Sequence, residues 1–241
     1  MGDDFATLQV YTGSSTVARR EDLISVVREI LSASNFREVL SKDEFHNRVI
    51  VVGPTENTPW LAVYDSACSY DNYNKFELLF SFPAFIELAK AISSKFGPSV
   101  TINMDDSCSV EFGLFVDGQL VDRYQDNPTI AHLVKAGKWS EALRKANAGH
   151  PETWIKHLGL KDALTTILRQ VWSTEGYSVS SPTILENTAK LLGWNKHLCR
   201  TGYNIGANGV PYSYQVITLN YTGYSEDRFT ELYFAQAEKS S

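Results

Sequence analysis

A chain of 241 residues with 22 lysines and arginines against 28 aspartates and glutamates has a formal net charge of −6, so it offers no diffuse basic surface for phosphates, and nucleic acid is set aside as a main partner. At this length roughly 70% or more of the unfolded surface can be buried without disulfides or metals, and 43% hydrophobic residues with 12% aromatics is the composition of an ordinary globular protein. No apolar run nears the roughly 18 residues of a membrane span, Met1-Gly-Asp-Asp is acidic where a secretion signal is basic, and Cys68, Cys108 and Cys199 form no C-x-x-C pair, so the chain reads as soluble and cytoplasmic.

In chain order, the first strand is expected at 6–11, then the turn-forming Thr12-Gly-Ser-Ser-Thr16 and a helix at 21–34. In that helix Leu23, Val26, Val27, Ile30 and Leu31 recur at helical spacing, and Glu21 and Asp22 suit the positive end of its dipole. Residues 36–40 and 48–52 read as an antiparallel pair around the polar stretch 41–47. The loop from Gly53-Pro54 to Pro59 then leads into Trp60-Leu-Ala-Val-Tyr-Asp65, a short buried strand.

The helix at 82–96 is marked at both ends, by Ser81 and Pro83 before it and by Gly97-Pro98 after it, with Phe85, Leu88, Ala89, Ile92 and Phe96 as its apolar stripe. Strands follow at 100–104, 109–116 and 119–124. Asp117-Gly118 joins the last two as a type I′ turn, because both central residues of that turn need positive φ. A regular ladder from this turn sets Val121 opposite Leu114, on the apolar face. Beyond Asn127-Pro128 the pattern is helical, at 130–136, 139–148, 151–172 and 182–192, before strands return at 214–221 and 229–234.

This order predicts an α+β fold: a mixed, mainly antiparallel sheet with helices on one face, two N-terminal strand-helix-strand halves that could be a duplication, and a helical insertion. The segments are 1–128 for the sheet core, 129–193 for the helices and 194–241 for the returning strands, together one compact domain.

Candidate chemistry gathers in the acidic positions beside the central strands. Asp65 ends one strand and Asp105-Asp106 follow another. If those strands are parallel neighbours, the three carboxylates meet at one sheet edge, as a divalent cation or an acid–base pair needs; turn chemistry is the plainer account of Asp in such places. His46, His132, His150, His157 and His197 have no metal-ligand spacing, no G-x-S-x-G elbow is present, and Cys108 among Asp105, Asp106 and Glu111 sits in a field that suppresses its thiolate. The glycine-rich run 202–209 lacks the Lys-Ser/Thr of a phosphate loop. Gly2 as a lipidation site and Asn220-Tyr-Thr222 as a sequon have little support without a basic flank or a secretory signal. Tyrosines crowd two places, with Tyr64, Tyr70 and Tyr73 before the central helix and Tyr203, Tyr212 and Tyr224 near the C-terminus. Such clusters suit either core-edge packing or a binding surface.

The combination Trp60-Leu-Ala-Val-Tyr-Asp-Ser66, Asp117-Gly-Gln-Leu-Val-Asp-Arg-Tyr124 followed by Pro128, Leu191-Leu-Gly193 and Gly202-Tyr-Asn-Ile-Gly206 resembles a family of uncharacterised proteins of bacterial and fungal genomes. The likeness runs from Trp60 onward and implies a shared scaffold. It carries no assigned activity, hence no catalytic residue to transfer, and the acidic segment after Met104 departs from the pattern.

The leading expectation is a non-enzymatic protein-binding protein, of the immunity or effector-neutralising kind in which an acidic protein occludes a basic partner. The alternatives are a metal-dependent hydrolase built on Asp65, Asp105 and Asp106, and a small-ligand sensor with a pocket between sheet and helices. The sequence names no cofactor and leaves the oligomeric state open.

Overall fold

A computed structural model describes residues 5–13, 16–55, 57–68, 83–105, 109–126, 145, 147–173, 180–200 and 228–237. The architecture is α+β, built on one eight-stranded sheet in which every pairing is antiparallel. Its strands are β1 (Phe5–Tyr11), β2 (Phe36–Val39), β3 (Arg48–Val52), β4 (Trp60–Asp65), β5 (Ser99–Asp105), β6 (Ser109–Val116), β7 (Gln119–Gln125) and β8 (Thr230–Gln236), in the spatial order β2-β8-β3-β4-β1-β5-β6-β7. Helices α1 (Thr16–Ala33) and α2 (Pro83–Lys95) cover one face, here called the front. Helices α3 (Pro151–His157), α4 (Ala163–Trp172) and α5 (Ser181–Leu192) cover the back. The sequence pattern placed helices on one face and left open which face the helical insertion takes; it takes the other.

The strand order follows from burial. β1, β3 and β4 are mostly apolar and buried at almost every position, a pattern that needs cover above and below. In β1, Ala6, Leu8 and Val10 join the front core with Leu23, Val27 and Leu31 of α1 and Phe85, Leu88 and Ile92 of α2. Phe5 points to the back core, where Val100, Ile102, Phe112 and Leu114 meet the three helices. Each such side chain, fully buried, contributes about 1.5–3 kcal/mol.

Three expectations are corrected. The segments at 36–40 and 48–52 do not pair, because the C-terminal strand β8 lies between them, with Glu38 opposite Phe234 and Phe234 opposite Arg48. β3 is buried on both faces and takes its second neighbour from far along the chain; turn chemistry at 41–47 could not signal that. The helix expected over 151–172 is two helices that break at Gly159, whose φ of 61° only glycine adopts without strain. In the β6–β7 hairpin, Asp117 and Gly118 have the positive φ of a type I′ turn, 50° and 77°. The ladder then slips between Leu114 and Phe115, so that Asp122 rather than Val121 stands opposite Leu114.

That β-bulge decides how the back layer is held. A one-residue shift turns every later side chain of β7 to the other face. Asp122, Tyr124 and Asp126 therefore face the three back helices, while Arg123 and Gln125 face the front. The helix expected at 130–136, the strand at 214–221, the glycine-rich run 202–209 and most of the helix at 139–148 lie outside the described residues.

Candidate functional site

The acidic positions singled out in the sequence separate in space. Asp65 is fully buried on the front face and takes a two-pronged ion pair from Arg48, Nε to Oδ1 at 3.1 Å and Nη2 to Oδ2 at 2.5 Å. Its Oδ1 also accepts the backbone N–H of Ala67 at 2.9 Å, closing the turn Ser66–Cys68 that follows β4. Arg48 donates in addition to the Ala84 carbonyl at the start of α2 at 3.2 Å. Burial opposes the charge on Arg48, but Asp65 more than offsets it and holds the guanidinium above its usual range. Asp65 thus spends its charge on a structural bond. β4 and β5 run in the same direction, but β1 lies between them, so two strand spacings of about 4.8 Å separate Asp65 from the row of β5. Asp105 ends β5 opposite Ser109, and Asp106 lies outside the described residues. Among the described residues no three His, Cys, Asp or Glu side chains gather at metal-binding range.

The acidic groups that do organise their surroundings are Asp122, one of the acidic positions of the central block but not chosen as a site, and Asp126, which the sequence did not single out. Asp122 accepts three hydrogen bonds at the head of α3: from the backbone N–H of His150 at 2.6 Å, from His150 Nδ1 at 2.7 Å and from Trp154 Nε1 at 2.7 Å. Asp126 Oδ2 accepts from Val110 N at 3.2 Å and from the hydroxyl of Ser181 in the first turn of α5. Between them the Tyr124 ring stacks on Trp172 of α4 at 4.6 Å and 16°, with Trp154 edge-on to Trp172 at 5.2 Å. One strand face, read every second residue, fastens all three helices. A D-x-Y-x-D alternation on a strand is the signal that could have revealed it.

His150 is the one half of this cluster that meets solvent: its side chain is 55% exposed while that of Asp122 is 5% exposed. The hydrogen bond to Asp122, helped by the nearby charge of Glu152 and opposed by partial burial, raises the imidazole's pKa. Cys68 and Cys199 are buried. Burial, with Asp65 adding to it, lifts the Cys68 thiol far above its usual range, and burial pushes Cys199 up to about 12. Neither thiol is a nucleophile at neutral pH.

Of the tyrosines proposed as a binding surface, Tyr64 is fully buried and its hydroxyl donates to the Leu198 carbonyl at 3.0 Å. It anchors the turn Leu198–Arg200 rather than presenting itself to solvent. Tyr70, Tyr73, Tyr203, Tyr212 and Tyr224 lie outside the described residues.

Among the described residues the two most exposed large apolar side chains are elsewhere, on the connector from β2 to β3. Leu40 is 95% exposed and Phe45 80% exposed. The connector is braced from within. Glu44 Oε1 accepts the N–H groups of Leu40 and Ser41, each at 3.2 Å, Ser41 Oγ accepts Asp43 N at 3.1 Å, and the His46 ring lies edge-on to Tyr233 at 5.0 Å. Beside it, between α1 and the β2 edge, runs a shallow groove of about 320 Å³ lined by Arg28, Ser32, Phe36, Arg37, Glu38 and Phe234. In sequence, Leu40 looked like the end of a strand, and Phe45 stood among Lys42, Asp43 and Glu44 as an isolated apolar residue.

No protein-family model, no curated protein and no solved structure matches this chain.

Proposed function

We propose that this protein works without catalysis, by binding another protein through the connector 40–47 and the neighbouring edge of β2, in the manner of an immunity or effector-neutralising protein. The observation that carries the reading is the pair Leu40 and Phe45, held out to solvent at 95% and 80% exposure by a connector that Glu44 braces. A large apolar side chain on a rigid platform loses little further entropy when a partner covers it.

β2 supports the same reading. The bond from Ala237 N to Asn35 O at 2.9 Å marks the pairs of Asn35, Arg37 and Val39 as those bonded to β8, because bonded and non-bonded residues alternate along an antiparallel strand. The backbone groups of Phe36 and Glu38 then point outward, a short template for one added strand. A second copy is a poor occupant. A two-fold axis that pairs β2 with itself sets Arg37 against Arg37 or Glu38 against Glu38, and like charges directly opposite are destabilising. A formal charge of −6 favours encounter with a basic partner.

The test is a Leu40→Ser, Phe45→Ser double variant, compared with the wild-type chain for the proteins that each retains from a lysate of the native cell. A photo-crosslinker at position 42 identifies what touches the connector. The expected result is a partner crosslinked to wild type and lost from the double variant, with the melting temperature unchanged. A partner retained equally by both chains, or none crosslinked at that position, overturns the reading.

A further inference from the structure

Asp122 holds more of His150 than the anchoring of a helix requires. Its Oδ2 already fastens the head of α3, through the backbone N–H of His150 at 2.6 Å and Trp154 Nε1 at 2.7 Å. Its Oδ1 turns to the side chain instead and meets His150 Nδ1 at 2.7 Å. A carboxylate only accepts, so this bond puts the ring proton on Nδ1 and leaves the lone pair on Nε2. Nε2 has no partner among the described residues. The side chain that carries it is 55% exposed, above a carboxylate that is 5% exposed. The neighbouring charge, Glu152, is taken up by Arg169 Nη2 at 3.1 Å. A buried acid thus fixes the tautomer of an exposed imidazole, the division of labour that turns a histidine into a base or a nucleophile.

The surroundings of the ring narrow its chemistry. Among the described residues no Ser, Thr or Cys side chain is bonded to it, so Nε2 has no second nucleophile to activate and is itself the attacking atom. Phosphoryl transfer suits such a place, because it passes through a loose transition state that asks for an in-line approach and little covalent help. We propose that His150 Nε2 is a phosphoryl-acceptor site, modified by donors of the phosphoramidate or acyl-phosphate class. The Nε2 lone pair forms the new N–P bond and the donor's bond to phosphorus breaks. Its electron pair leaves with ammonia from phosphoramidate, or with the carboxylate from an acyl phosphate. The ring becomes a phosphorylated imidazolium that still carries Nδ1–H. The bond to Asp122 therefore survives the transfer, and the carboxylate balances the new charge on the ring.

The experiment treats the full chain with potassium phosphoramidate in mildly alkaline solution and locates the phosphoryl groups by peptide mass spectrometry and phosphorus NMR. His157, exposed at the far end of α3 and with no partner for its ring among the described residues, is the internal reference. Transfer to His150 is expected to run about tenfold faster than transfer to His157, and His150→Gln should remove the faster reaction. Asp122→Asn keeps an acceptor oxygen and removes the charge, and should bring the two rates together in a chain shown by circular dichroism to be folded. Should that variant not fold, the comparison of His150 with His157 in the wild-type chain decides alone. Equal rates at the two histidines, no phosphoryl group at His150, or an undiminished rate in folded Asp122→Asn overturns the proposal and leaves Asp122 as an anchor of α3.

Discussion

An aspartate at the end of a strand can hold a metal or a proton only while its charge is uncommitted, and at Asp65 the commitment is made 17 residues earlier in the chain, at Arg48. Both side chains are nearly or fully buried, so removing one strands the other without solvent. Asp65→Asn should cost about 3–5 kcal/mol in urea unfolding. An Arg48→Met, Asp65→Leu double variant should cost less than either single change, because no charge is left behind. If Asp65→Asn cost under about 1 kcal/mol and abolished a thermal shift produced by Mg²⁺ or Mn²⁺, Asp65 would be a ligand after all. At His150 the commitment depends on pH. The folded state raises this imidazole above its unfolded value of 6.5, so its contribution is fully present below about pH 6.5 and is lost as pH rises through the higher folded value. The stability difference between wild type and His150→Gln should therefore be largest at pH 5–6 and vanish by pH 9. A difference that grows with pH would mean that the neutral ring, not the ion pair, is what holds α3.

Between residues and fold stands the slip in β7, and it shows which features were legible in the sequence. The Asp117-Gly118 turn was legible because its chemistry is local: both residues adopt positive φ, and the strands on either side alternate. The slip was not, because regular and slipped ladders both leave a plausible apolar face, and only the back helices distinguish them. The site followed the same rule. Asp65 was legible as a buried strand end, but its partner was not, and Asp122 and Asp126 looked like ordinary turn-flanking acids until the bulge aimed them. Deleting Val121, the extra residue of the bulge, should restore a regular ladder while leaving Asp122 opposite Leu114, so Asp122, Tyr124 and Asp126 should stay beneath His150, Trp172 and Ser181 and unfolding followed by circular dichroism in urea should remain cooperative. Loss of cooperativity would mean that the bulge itself, and not the face it sets, holds the back layer. A harsher test of the same layer is Gly149, with φ of 73°, where an added Cβ would lie 2.7 Å from two Trp172 ring carbons. Gly149→Ala should cost about 3 kcal/mol from backbone strain and overpacking together. Gly159, with φ of 61° and nothing within 4 Å of an added Cβ, carries only the strain, so Gly159→Ala should cost about 1 kcal/mol.

At the scale of the whole molecule the chain closes its sheet with nearly its last residues. β8 pairs Phe36 with Gln236 and Arg48 with Phe234, contacts that span most of the sequence, and among the described residues β2 has no neighbouring strand without it and β3 loses one. This explains why residue patterns suggested a local hairpin at 36–52: the competing pairing costs loop-closure entropy that no local signal records, and it is repaid by burying Leu232 and Phe234 in the front core and by the Arg20 contacts to Val52 O, Gly53 O and Thr230 Oγ1. A fold with this much non-local pairing should form slowly, on the millisecond-to-second scale or beyond. It should also depend on its C-terminus out of proportion to the few residues involved. A chain ended at residue 227 retains seven of the eight strands, α1 and α2, and the whole back layer, so a modular protein would keep most of its stability. Here the loss exposes the inner edge of β3 and the front core beneath it, and the truncated chain should show no cooperative unfolding transition and should bind a hydrophobic dye. A sigmoidal urea curve from that chain, with a midpoint near that of the full protein, would mean that β8 is an addition to a sheet already complete without it.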